Sequence, residues 1–418
     1  MATNQGEESN AIADLDGEVE HDFSPFIRQY KSGCVVRLLP ADNVPAGTDT
    51  ACTGVSSKDV VIDPSSGLWA RLYLPALPTK RQGKGKLPVV VYYHGSAFVI
   101  GSAAHRPTHE YLNTLASDAN VLIVSPEYRL APEHPLPTAH DDSWEAFKWV
   151  ASHAAGEGVE PWLVEHGGLS RVFLAGVSAG GNIAHHMAVR AGEHINSLGV
   201  RVSGLLVIHA YFNAEESTTT GALRERSAAF WRFVCPGTSG LDDPLCNPFS
   251  EAVGGSAARI AAGRVLVCVA GKDMLRDRGV WYYESLKGSG YPGDAELHES
   301  VGEGHVFHYT KPGCEQAQLL RARPLPSADG SANRFGFVNP GEDCVPSPHF
   351  LPPLPAGSRD KLAVMVYYDS DAFVIGSTAR CRVHAGVQSV GVPIRGLLVI
   401  HPDFTSEGAN VMTRPWVL

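Results

Sequence analysis

No stretch of this 418-residue chain approaches eighteen consecutive apolar residues, which excludes a helix long enough to cross a bilayer. No Lys/Arg-rich stripe is present either. The 34 basic residues face 44 acidic ones, for a formal net charge of −10, and an acidic chain without a basic face is not built for nucleic acid. No CxxC pair occurs among the eight cysteines (Cys34, Cys52, Cys235, Cys246, Cys268, Cys314, Cys344 and Cys381), and their spacing matches no zinc ligand set. Free thiols, no structural disulfide, no metal and no cofactor are therefore expected. The first residues have neither the basic start and apolar stretch of a secretory signal nor the Arg-rich character of a transit peptide, so a cytoplasmic location is expected.

What is present is the composition of a folded protein, with 44% hydrophobic and 19% charged residues. The length allows one large α/β domain or two or three small ones. Residues 1–22 hold seven acids (Glu7, Glu8, Asp14, Asp16, Glu18, Glu20, Asp22) and no Lys or Arg, which predicts a solvated, disordered acidic tail. Short β-branched runs follow at Leu87–Tyr93, Val121–Ser125, Arg171–Ala175, Gly204–His209 and Arg264–Ala270. Helix-like segments alternate with them at Glu110–Ala119, Trp144–His153, Asn182–Ala191 and Arg276–Leu286. Alternation of this kind predicts an α/β fold with a mainly parallel sheet covered on both faces, and chemistry in the loops just after the strands. The stretch 213–250 has no clean strand and carries Phe230-Trp231-Arg232-Phe233, which suits a helical lid.

The C-terminal part repeats earlier sequence. Residues 86–104 (KLPVVVYYHGSAFVIGSAA) recur at 361–379 (KLAVMVYYDSDAFVIGSTA), with thirteen of nineteen positions identical. Residues 199–212 (GVRVSGLLVIHAYF) recur at 391–404 (GVPIRGLLVIHPDF). The 94 residues between the first pair of blocks (105–198) shrink to eleven (380–390) in the second. The segment 323–418 therefore reads as a Pro/Gly-rich linker followed by a degenerate partial copy that lacks a site.

One motif joins strand, turn and helix. Strand Arg171–Ala175 runs into Gly176-Val177-Ser178-Ala179-Gly180-Gly181-Asn182, a G-x-S-x-G sequence. Small residues around the serine allow a turn sharp enough to push one hydroxyl out at the strand's end. The following helix aims its N-terminal N–H groups at the place where negative charge would develop. A serine hydroxyl needs a base, and the base needs a carboxylate to orient it. In this fold class they follow in the order Ser, Asp or Glu, His. Asp273 lies in the loop after strand Arg264–Ala270, and His305 in the Gly-flanked segment Glu299–Phe307. Asp277 is a rival carboxylate one turn into a helix, and His298 and His308 are rival bases. Strand Leu87–Tyr93 runs into His94-Gly95-Ser96-Ala97-Phe98, where small residues would expose backbone N–H donors for an oxyanion, with Ala179 supplying another.

Taken together, the motifs resemble the plant carboxylesterases of the hormone-sensitive-lipase-like branch of the α/β-hydrolases. The resemblance covers roughly residues 23–322. It is carried by SPFIRQYKSG (24–33), YYHGSAFVIGS (92–102), YRLAPEHPLPTAHDD (128–142), GVSAGGN (176–182), DDPLCNP (242–248), KDMLRDRG (272–279) and GEGHVFHY (302–309). It implies an α/β-hydrolase domain over 23–322 with a small helical cap at about 213–250. It implies Ser178 as nucleophile, His305 as base and Asp273 as its orienter. The N–H groups of Ser96, Ala97 and Ala179 fall where the family forms its oxyanion hole, with His94, Gly95, Gly176 and Gly180 in support. Ser96 and Val177 depart from the family pattern, which has Gly and Asp there, and a Pro-rich break replaces the last helix. A serine esterase acting on a small-molecule ester is the expected function, with no nucleic-acid or membrane partner. A non-catalytic hormone-receptor-like binder, a dehydratase, a transacylase and an impaired paralogue are the alternatives. His305 argues against the binder, because the receptors of this group lack the base.

Overall fold

The computed structural model describes residues 17–77, 85–213, 221–250 and 259–322, together with four strands in the C-terminal segment. Contacts divide the chain into two units, 1–344 and 345–418.

The first described element is not a tail. Strands β1 (Val19–Phe23), β2 (Ile27–Tyr30) and β3 (Val35–Arg37) form an antiparallel sheet. Asp22 accepts from the Arg28 guanidinium and from the Ser24 N–H and hydroxyl, contacts that lower its carboxyl to about 2. Glu18 pairs with Lys31. The expected acidic tail therefore ends sooner than residue 22, because partners across the turn take up its last carboxylates while Phe23 is buried. Residues 1–16 lie outside the described residues.

The main sheet has eight strands: β4 (Ser56–Asp63), β5 (Leu68–Leu74), β6 (Leu87–Tyr93), β7 (Leu122–Glu127), β8 (Gly167–Val177), β9 (Val202–Ile208), β10 (Arg264–Ala270) and β11 (Asp294–Ser300). Their order is β11-β10-β9-β8-β6-β7-β5-β4. Strands β6 to β11 run parallel, and the β4–β5 hairpin adds an antiparallel edge. The helices are α1 (Arg106–Ala119), α2 (Thr138–Ser152), α3 (Pro161–His166), α4 (Ala179–Glu193), α5 (Ile195–Leu198), α6 (Ala222–Val234), α7 (Arg276–Gly288), α8 (Phe307–Thr310) and α9 (Glu315–Ala322).

Alternate strand residues feed two cores. Val89, Val91, Leu174, Val207 and Val267 face α2, α4 and α7. Val90, Phe173, Ile208 and Leu266 face α1, α8 and α9. Covering both faces is what makes these strands apolar throughout. Strand order reverses between β6 and β8, since β7 lies on one side of β6 and β8 on the other. That crevice is where ligands bind in open α/β sheets.

The copied segment pairs differently from its original. Strands β12 (Val364–Asp369), β13 (Ala372–Ser377), β14 (Arg380–Val383) and β15 (Leu398–Ile400) form an antiparallel sheet in the order β14-β13-β12-β15. Strand β12 repeats the sequence of β6, yet its partners run antiparallel to it. Parallel pairing needs a crossover of a dozen or more residues, and the short connections that remain allow hairpins. The Pro/Gly-rich linker expected at the start of the segment 323–418 lies outside the described residues.

Candidate active site

Ser178 sits between β8 and α4 with φ 56° and ψ −119°. A non-glycine residue there stores on the order of 1–3 kcal/mol, which the surroundings must hold in place. The Ser178 N–H donates to the Ile208 carbonyl, and the N–H groups of Gly181 and Asn182 donate back to the Ser178 carbonyl. The packing leaves no room for side chains at the flanking glycines. A Cβ on Gly180 would fall 2.0 Å from the Tyr93 carbonyl oxygen, and one on Gly176 would fall 2.0 Å from that of Gly180.

The hydroxyl meets its expected partners. His305 Nε2 lies 3.2 Å from Ser178 Oγ, and His305 Nδ1 lies 2.8 Å from Asp273 Oδ2. The serine and the histidine are 127 residues apart in sequence. The Asp273 carboxylate is fully buried, and Leu275 N–H donates to its other oxygen at 2.9 Å. The His305 side chain remains 32% exposed, so the imidazole bridges a buried carboxylate and a reachable hydroxyl. The rivals lie elsewhere. Asp277 is exposed and pairs with Arg276. His298 lies on β11, and His308 is packed among Tyr111, His209 and Tyr309.

The loop after β6 closes the other side. A Cβ on Gly95 would fall 2.8 Å from the Val177 carbonyl oxygen and 3.3 Å from Ser178 Cβ, so this loop lies against the serine turn. Ser96, Ala97 and Phe98 have φ of 85°, 57° and 64°, three consecutive left-handed non-glycine residues. The N–H groups of Ser96, Ala97 and Ala179 donate to no protein acceptor among the described residues. Val177, where the family pattern has Asp, is wholly buried in the core that α1 shares.

Several neighbours were not foreseen from the sequence. Tyr128 donates its hydroxyl to the carbonyls of His94 and Gly95 and stacks on the His94 ring at 4.1 Å. His209, at the end of β9, accepts the Val306 N–H at Nδ1. A ring nitrogen of His209, one of His305 and a carboxylate oxygen of Asp273 lie within 4.8 Å of one another. A search of the loops after the strands could have found His209, since it ends one of the strands read in the sequence. Within the expected cap, α6 buries Trp231 against Tyr211 (6.1 Å, stacked) and Phe98 (6.2 Å). Residues 214–220 lie outside the described residues.

This sheet, elbow and loop are those of an α/β-hydrolase. A family model described as alpha/beta hydrolase fold matches residues 90–309, and the chain belongs to that family, in its hormone-sensitive-lipase-like branch. The chain is 45% identical over 301 residues to tuliposide A-converting enzyme 1, chloroplastic, of Tulipa gesneriana, covering 70% of this chain and 74% of that one. It is 42% identical over 315 residues to 2-hydroxyisoflavanone dehydratase of Glycyrrhiza echinata, covering 73% and 95%. Among solved structures, esterase LipW from Mycobacterium marinum aligns with a TM-score of 0.50 at 28% identity, over 65% of this chain and 81% of that one.

Proposed function

We propose that this chain hydrolyses small carboxylic esters through an acyl-enzyme. The single observation that carries the reading is the continuous contact from Asp273 through His305 to Ser178, at 2.8 and 3.2 Å. In this reading His305 Nε2 takes the hydroxyl proton as Ser178 Oγ attacks the ester carbonyl. The buried Asp273 carboxylate stabilises the imidazolium that forms. The N–H groups of Ser96, Ala97 and Ala179, with the N-terminus of α4, receive the oxyanion. His305 then protonates the departing alkoxide, and a water it deprotonates releases the acid. Removal of one oxyanion donor costs about 2.7–4 kcal/mol in comparable hydrolases.

The experiment is the hydrolysis of p-nitrophenyl butyrate. The expected result is a burst of about one equivalent of p-nitrophenolate, absent in Ser178→Ala. Steady turnover that survives Ser178→Ala overturns the reading. A second reading keeps the same base and serine but replaces water with an internal acceptor, or removes a substrate proton to drive elimination. The names of the tulip and Glycyrrhiza relatives favour it. Product analysis in 18O-water separates the two, since only hydrolysis places solvent oxygen in the released acid.

A further inference from the structure

Arg278 lies on α7, five residues after Asp273, and is only 4% exposed. Buried guanidinium groups are ordinarily paired with a carboxylate, because an unpaired charge in a low-dielectric interior is costly. Among the described residues Arg278 has no acidic partner. Its Nη2 donates to the Ser227 hydroxyl on α6 at 2.9 Å, and its Nε–H is buried without an acceptor. The guanidinium carbon stands 5.5 Å from the centre of the Tyr211 ring, and the Tyr211 hydroxyl is itself buried without a partner. Tyr211 in turn touches the nucleophile's backbone, its N–H donating to the Ser178 carbonyl at 3.0 Å. A cation without a carboxylate partner and a hydroxyl without a hydrogen bond thus lie together beneath the cap helix, next to the serine turn.

We propose that Arg278 and Tyr211 form an anion subsite, and that the preferred substrates are esters bearing a second, ionised carboxylate. The guanidinium can only donate and the phenol is free to donate, so both call for an acceptor-only ligand. A carboxylate meets both donors and supplies the missing counter-charge through charge-assisted hydrogen bonds. The Ser227 hydroxyl carries the cap helix to the same guanidinium, so cap and substrate are read at one point. This inference rests on the esterase reading of Ser178 and adds the class of substrate to it.

Binding and turnover test the two separately. Calorimetry on the intact chain carrying Ser178→Ala, with monomethyl glutarate and dimethyl glutarate as probes, is expected to show at least tenfold tighter binding of the anion. Arg278→Met added to that chain is expected to bring the ratio close to one, and Arg278→Lys to keep most of it. A ratio near one in the parent, or a ratio that Arg278→Met leaves unchanged, overturns the subsite. The parent ratio decides even if an Arg278 variant fails to fold. On the wild-type chain, 4-acetoxybenzoate and its methyl ester, compared with 4-nitrophenyl hydrogen glutarate and its methyl ester, show whether the anion belongs to the alcohol or the acyl side. No preference for the anion in either pair counts against the subsite. Turnover of none of the four overturns the esterase reading, and the binding ratio still judges the subsite.

Discussion

The backbone N–H of Val306 donates to Nδ1 of His209 at 3.2 Å, which ties the residue after His305 to the end of β9. Both residues hold left-handed backbone, φ 49° at Val306 and 47° at His209, and this is strained for the β-branched Val306. Burial pushes the His209 imidazole well below its ordinary pKa, so the ring stays neutral and Nδ1 stays an acceptor. His209 is a positioning residue in this account. His209→Leu is expected to lower kcat on p-nitrophenyl butyrate by about 10–100-fold, since small misplacement of a reacting group costs that much. His209→Asn, whose carbonyl can still accept, is expected to lose less. Equal kcat in His209→Leu and wild type contradicts the assignment.

The loop after β6 and the serine turn should respond in opposite ways to two glycine changes. Ser96→Gly relieves a left-handed serine and is expected to raise stability by about 1 kcal/mol without loss of kcat. Gly180→Ala places a methyl 2.0 Å from the Tyr93 carbonyl and 2.4 Å from that of His94. It is expected to cost about 1–3 kcal/mol or more, and to misplace the serine turn. Urea denaturation with parallel esterase assays measures both.

Glu127 lies behind the same loop. It accepts the Ala103 N–H and the Ser102 hydroxyl, and it sits 3.9 Å from His94 Nε2. Burial raises its carboxyl to about 7 and lowers His94 to about 4, so near neutral pH the imidazole is uncharged and the contact is not an ion pair. The folded carboxyl binds its proton more tightly than the unfolded one, whose value is near 4.5. Stability therefore falls as pH rises from about 4.5 to about 7. Glu127→Gln removes that penalty and keeps an acceptor. Relative to wild type it is expected to gain about 1–3 kcal/mol at pH 8 and little at pH 4.5. Urea midpoints at the two pH values check this, and a variant less stable than wild type at pH 8 contradicts it.

Most strands that are buried on both sides are legible in the sequence; β5 (LWARLYL), whose apolar run is broken by the buried Arg71, is not. Strands β6 and β10 occupy the runs Leu87–Tyr93 and Arg264–Ala270, because a strand enclosed by helices must be apolar throughout. Strands β4 and β11 carry no such apolar run. One is an edge strand with Val61 in solvent, and the other is the polar DAELHES, held by its ladder to β10 rather than by composition. Ser178, Asp273 and His305 could be ordered from turn chemistry and strand ends, since each follows a strand or sits among glycines. The roles of His209 and Arg278 could not. The His209 contact spans 97 residues, and nothing local distinguishes a buried arginine on a helix from a solvated one.

The most direct test of the account is covalent labelling of the folded full-length chain with a fluorophosphonate, read by peptide mass spectrometry. The account predicts a single adduct on Ser178, with the labelling rate reduced about a thousandfold or more in His305→Gln. No adduct on Ser178, or labelling at the same rate in His305→Gln, would contradict it.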